Sequence, residues 1–238
     1  MNRIASTSLI GAAAAVALVA GSCAPAFADG TSTPAPSGGK TLAVIQANAK
    51  VRTSARIGAL DTAIAKITAA QDIGSSDRAT ILATLSGDVA GMNTVEAKIA
   101  ADTTVATAAA DYKTIFTSYR VYAVAIPQSR LAAAADRMTS TTVPKLTDAQ
   151  SRLSAALAGP DVSESTPALL ADLTDMSSQI TAAGTALDGI AARSLAVTPS
   201  AYNSNQSVMA PIRTAVTTAI ADLKKASADG TTVLAAIK

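Results

Sequence analysis

The chain has 238 residues, a formal net charge of +2, no histidine and a single cysteine, Cys23. Without histidine, and with one thiol that lies in an apparent secretion signal, it lacks the usual general base, the thiolate nucleophile and the commonest zinc ligands. Its 19 basic and 17 acidic residues nearly balance, which argues against nucleic acid or an anionic membrane surface as a partner.

Residues 1–28 have the pattern of a signal peptide. A short basic start precedes the apolar run Leu9 to Ala20, and Ala26-Phe27-Ala28 is a small-residue cleavage site. We therefore expect a secreted or envelope-associated protein whose mature chain begins at Asp29. The alternative is a lipoprotein signal in which acylated Cys23 becomes the first residue and anchors the protein to lipid.

Residues 29–40 are rich in Ser, Thr, Pro and Gly and show no periodicity, which predicts a flexible linker. Residues 41–238 form the predicted folded body. No apolar stretch of about 20 residues remains after signal removal, so no transmembrane segment is predicted in the mature chain.

From Thr41 onward, apolar residues recur at spacings of three and four, the period of an amphipathic helix. No alternating run long enough for a pair of strands appears, so the predicted fold class is all-α. The clearest apolar stripes are Ile57, Leu60, Ile64, Ile67; Leu82, Leu85, Val89, Met92, Ile99; Leu169, Leu173, Met176, Ile180, Leu187, Ile190; and Val208, Ile212, Val216, Ile220, Leu223.

The third helical segment is much longer than its neighbours. If continuous from Thr104 to Leu157, it spans roughly 80 Å, against about 35 to 50 Å for the others. We therefore predict an elongated antiparallel bundle in which two three-helix segments share this long central helix. The alternative is a compact bundle with the central helix broken at Pro127 or Pro144, because an internal proline costs about 3 kcal/mol. Neither proline is flanked by a turn sequence, which favours kinks over breaks.

An aromatic cluster stands out on the third segment, where Tyr112, Phe116, Tyr119 and Tyr122 follow one another at helical spacing beside Arg120. A stripe with this period is typical of a packed core, with the phenol hydroxyls at its rim, and we favour that interpretation. The alternative is a site for an apolar or glycan ligand, stacked on the rings and hydrogen-bonded to Arg120.

Three short segments carry a resemblance. Tyr119-Arg120-Val121-Tyr122, Pro127-Gln128-Ser129-Arg130, and Thr198-Pro199-Ser200-Ala201-Tyr202-Asn203 ahead of Pro211 resemble parts of alanine-rich secreted helical proteins of actinobacteria that have no established function. The likeness covers most of residues 55–225 and brings no catalytic residues with it. It implies a Gram-positive, envelope-facing setting.

We predict no catalytic, cofactor or metal site. Asp172 and Asp175 share a helix face but lack the number of oxygen ligands that calcium prefers. The expectation is an exported, non-enzymatic helical protein acting as a cell-envelope spacer, scaffold or interaction module, with an envelope protein or glycan as its partner. The alternative is a carrier that holds a lipid or other apolar ligand within the bundle.

Overall fold

The computed structural model describes residues 41–237. The signal peptide predicted for residues 1–28, including Cys23, and the linker predicted for residues 29–40 lie outside the described residues. Within residues 41–237 every regular element is helical, and the helices pack on one another, which confirms the predicted all-α bundle.

Long α-helices alternate with short helical pieces. Residues 121–125 and 138–142 are π-helical turns, and residues 162–164 form a 3₁₀ turn. The α-helices are α1 Leu42–Ala69, α2 Ser75–Ala101, α3 Val105–Thr117, α4 Ile126–Arg137, α5 Val143–Ala158, α6 Pro167–Leu187, α7 Ile190–Leu195, α8 Pro199–Ser204 and α9 Ala210–Ala236.

Four helices begin with a threonine cap. In each, the threonine side chain accepts a hydrogen bond from the backbone N–H three residues later, which satisfies one amide of the first turn. Thr166-Pro167 and Thr198-Pro199 each begin a helix, with proline in the first turn, where its missing N–H costs nothing. The capping residues are Thr41, Thr104, Thr166 and Thr198.

The chain divides into two compact units. The described part of the larger unit comprises residues 41–136 and 189–213, and that of the smaller unit comprises residues 137–188 and 214–237. In the larger unit α1, α2 and α3 pack against one another. Their shared core is built from aliphatic side chains and small alanines, including Ile45, Ala49, Leu60, Ile81, Leu85, Met92, Ile99, Ala108 and Ile115.

In the smaller unit α5 packs against α6, and the stripe predicted on α6 is buried, including Leu173, Met176 and Ile180. Gly230 lies where α9 approaches these helices. A Cβ atom at position 230 would be 3.1 Å from Met176 Cε and 3.7 Å from Leu153 Cδ1. The glycine therefore lets the backbone of α9 pack closely on α5 and α6.

The predicted helix from Thr104 to Leu157 is not continuous. It ends at Thr117, and Arg120 adopts a left-handed conformation with φ of 47° before the chain turns helical again at Val121. The interruption therefore lies at neither proline that we considered. At this interruption Arg120 contacts α8, as described below.

Both prolines are accommodated within helix. Pro127 and Pro144 are the second residues of α4 and α5, and each follows a π-helical turn directly. The residues before them, Ile126 and Val143, keep right-handed helical dihedral angles. A π turn shifts the backbone bonding pattern by one residue, so the missing proline N–H and the ring fall where the ladder is already changed.

Candidate functional site

The aromatic cluster lies in the larger unit. Its spacing predicts that Tyr112, Phe116 and Tyr119 share one helix face, but Tyr119 lies beyond the end of α3. Tyr112 and Phe116 are on α3, Tyr119 and Arg120 lie in the break after it, and Tyr122 is in the π turn. Because the break redirects the chain, Tyr119 turns to α2 and Arg120 turns to α8. Tyr112, Phe116 and Tyr122 remain grouped near α1.

Arg56 of α1 holds that group together. Its side chain is 8% exposed, and its guanidinium carbon lies 4.6 Å from the centroid of the Phe116 ring and 5.1 Å from that of Tyr122. Both distances are within the range of cation–π attraction. Phe116 also meets Tyr112 edge to face, with ring centroids 5.4 Å apart, a preferred geometry for aromatic pairs.

Tyr122 forms the outer wall of the group. Its side chain is 43% exposed, and its hydroxyl donates a hydrogen bond of 3.2 Å to the carbonyl oxygen of Ala55 on α1. One part of the ring therefore contacts solvent while the hydroxyl and the Arg56 contact fix its orientation. Such a ring at the rim matches the amphipathic character of tyrosine.

Tyr119 packs on the backbone of α2 at Gly91. A Cβ atom at position 91 would be 2.2 Å from Tyr119 Cε1 and 2.7 Å from its hydroxyl oxygen. Only a residue without a side chain leaves room for the ring in this position. Gly91 is therefore part of the cluster, although it lies on another helix.

Arg120 is held by α8. Its Nε donates a 2.7 Å hydrogen bond to Asn203 Oδ1, and Asn203 Nδ2 donates one of 2.8 Å to the carbonyl oxygen of Thr117. The guanidinium carbon also lies 5.5 Å from the centroid of the Tyr202 ring. These contacts offset the left-handed conformation of Arg120, which costs roughly 1–2 kcal/mol for a residue with a Cβ atom.

A carboxyl group lies in the core-facing register of α2. The helix buries Ile81, Leu85, Met92, Val95 and Ile99, and Asp88 occupies the position that completes this alternation of four and three. Burial raises the pKa of Asp88 to about 6. An acid with that pKa exchanges a proton near neutral pH, but no charge or hydrogen bond contributes to the shift, which fits a desolvated core position better than a catalytic dyad.

Sequence reasoning missed Arg56, Gly91, Tyr202 and Asn203 as members of the cluster. The helical spacing of α1 does indicate that Arg56 faces the core, because it lies four residues before the core residue Leu60 and seven after Ala49. The other three carry no local signal, since their roles depend on α2 and α8 meeting the break after α3.

Asp172 and Asp175 of α6 lie close enough to Asp229 of α9 to act on it. Burial first, and then their negative charges, raise the pKa of Asp229.

No cluster of three or more His, Cys, Asp or Glu residues suited to a metal ion occurs among residues 41–237. In the same range, no helix combines the length and apolar character needed to cross a membrane.

Comparison with known proteins supplies no relative. No protein-family model matches the chain, and no curated protein or solved structure is significantly similar to it.

Proposed function

We propose that the chain is an exported, non-enzymatic helical protein that serves as a spacer, scaffold or interaction module in the cell envelope. Export is supported by the apolar run before Ala26-Phe27-Ala28. The envelope setting is supported by the resemblance of three short segments to secreted actinobacterial proteins. The expected partner is a protein or glycan of the envelope.

One structural observation supports a structural role for the aromatic cluster over a role in carrying a ligand. The side chains of the candidate site are engaged with their own chain: Phe116 and Tyr122 with Arg56, Tyr119 with Gly91, and Arg120 with Asn203. A ring that fills space between helices stabilises the fold. A ring that waits for a ligand would be expected to leave contact area for that ligand.

The test is the composition of the protein purified from its own secretory route. Native mass spectrometry should give the mass of the polypeptide alone, and organic extraction of the same sample should release no stoichiometric lipid. Protein that is unfolded in denaturant and refolded without lipid provides the matched reference and should have the same mass and melting temperature. A stoichiometric lipid on the secreted sample, lost together with thermal stability after refolding, would contradict the proposal and indicate the carrier.

The partner is best sought on intact cells. Proximity labelling from the exported protein should mark a small set of envelope components, and the labelling should persist when Phe116 is replaced by leucine, which preserves an apolar side chain in the cluster. Loss of all specific labelling with the folded Phe116→Leu variant would indicate that the cluster itself binds the partner.

A further inference from the structure

The break after α3 contains no residue type that favours a left-handed conformation. Residues 105–126 contain neither glycine nor proline, and their periodicity predicts one helix. Nevertheless Arg120 has a positive φ, the only non-glycine residue between 41 and 237 to do so. A conformation that the local sequence does not favour must be maintained by contacts from elsewhere in the fold.

Asn203 of α8 provides these contacts, one of which is at the carbonyl group of Thr117. In a continuous α-helix the N–H of Val121 would donate to the carbonyl oxygen of Thr117. In the structure that oxygen accepts a 2.8 Å hydrogen bond from Asn203 Nδ2. The same amide group of Asn203 accepts the bond from Arg120 Nε, so a single side chain occupies both ends of the break.

The broken form leaves backbone donors unused. Among the described residues, no backbone carbonyl receives the N–H of Tyr119 or Arg120, whereas the carbonyl oxygen of Arg120 receives the amides of Ala123 at 3.0 Å and Val124 at 2.7 Å. In a continuous helix these two donors would bond to the carbonyl oxygens of Ile115 and Phe116.

We propose that residues 117–125 are a two-state conformational device controlled by α8. In the bent state Tyr202 and Asn203, which we call the latch, hold Arg120 in its left-handed conformation. In the straight state the latch is released and α3 continues through residues 118–122 as one helix. The bent state has the latch contacts, the packing of Tyr119 on Gly91 and the burial of Val121, whereas the straight state has more backbone hydrogen bonds. A partner that binds one state better therefore shifts the balance. This device goes beyond the proposed function, which does not depend on it.

Hydrogen exchange of the full-length protein tests the proposal. Asn203→Ala removes both latch hydrogen bonds, and Asn93→Ala is the matched control because Asn93 is an exposed asparagine on α2. In Asn203→Ala the amides of residues 119–122 should exchange at least about tenfold more slowly, because they become helical donors. In the control their exchange should not change. Equal or faster exchange in Asn203→Ala would overturn the proposal, since the break would then persist without the latch.

A second pair of variants decides the matter even if Asn203→Ala fails to fold. Arg120→Ala and Arg120→Gly both delete the guanidinium group, but only glycine accepts a positive φ readily and only alanine favours helix. The alanine variant should therefore protect the amides of residues 119–122, and the glycine variant should leave them in fast exchange. Indistinguishable exchange in the two variants would overturn the two-state account.

Discussion

The ring of Tyr119 lies directly on the backbone of α2 at Gly91, where a Cβ atom would be 2.2 Å from Tyr119 Cε1. By contrast, a Cβ atom at Gly87, one turn earlier on the same helix, would meet no atom within 4 Å. The two glycines thus share a helix and differ in their surroundings, which makes them a matched pair.

Alanine at these two positions should have opposite effects. Gly87→Ala should stabilise the fold by up to about 1 kcal/mol, because alanine is the better helix former. Gly91→Ala should displace the Tyr119 ring. Such overpacking costs about 1–3 kcal/mol of folding stability, which outweighs the gain in helix propensity. Urea unfolding of both variants measures the difference.

The double variant Gly91→Ala with Tyr119→Ala provides the internal check. Once the ring is absent, the Gly91→Ala change should become stabilising, giving a strong coupling between the two sites. Additive effects of the two substitutions would show that the ring does not occupy this position in solution.

The sequence was sufficient to predict the fold class and the buried stripe of α6, because these depend on local patterns. The stripe Leu169, Leu173, Met176 and Ile180 is buried as predicted, and Thr166-Pro167 begins its helix. The break at Arg120 could not be predicted in this way. Its partner Asn203 is 83 residues away in the chain, so the cause exists only once the helices have packed.

The candidate site was predicted only in part, because some of its members are brought together by packing between helices. The aromatic residues were identified from their spacing, but Tyr119, which was predicted to share a helix face with Tyr112 and Phe116, lies beyond the end of α3. Arg56 was missed because a charge inside an apolar stripe is usually assigned to the surface, whereas here two rings surround its guanidinium group. Contacts between rings and a guanidinium group, and the burial of a long charged side chain, are properties of the packed helices, which periodicity alone does not determine.

Asp88 should make stability depend on pH. Burial raises its pKa from 3.8 to about 6, so the folded state binds the proton more tightly than the unfolded state. Stability should therefore rise as pH falls from above 6 toward 4, and the penalty of the charged form should be fully present at pH 7.5.

Asp88→Asn removes that penalty. Because Asp88 retains some solvent contact, the gain at pH 7.5 should be about 1 kcal/mol, and it should disappear near pH 4, where the wild-type carboxyl is protonated in the folded state. Urea unfolding at the two pH values measures the effect. A gain of equal size at both would show that the charge of Asp88 is not responsible.

Gln46 of α1 closes the C-terminal end of α2. Its Nε2 group donates to the carbonyl oxygens of Ile99 at 3.2 Å, Ala100 at 3.1 Å and Asp102 at 3.1 Å. Gln46→Ala should cost about 1 kcal/mol, and Gln46→Glu about 1–3 kcal/mol, because a carboxylate would face three acceptors without a proton to donate.

The exposed Gln71, in the turn between α1 and α2, supplies the control. Gln71→Ala should change the free energy of unfolding by less than about 0.5 kcal/mol, as is usual for exposed side chains. If Gln46→Glu were as stable as the wild type at neutral pH, the amide would not be bonding these carbonyls.

The central claim is that the aromatic cluster stabilises the fold, and urea unfolding of Phe116→Ala tests it most directly. Truncation of a fully buried phenylalanine costs about 3–5 kcal/mol, so the half-buried Phe116 should cost about 2–3 kcal/mol, with an unchanged slope. Val51, 66% exposed on α1, is the reference, and Val51→Ala should stay within about 0.5 kcal/mol. An unchanged midpoint and slope for Phe116→Ala would contradict the claim and favour the alternative that residues 112–122 bind a ligand.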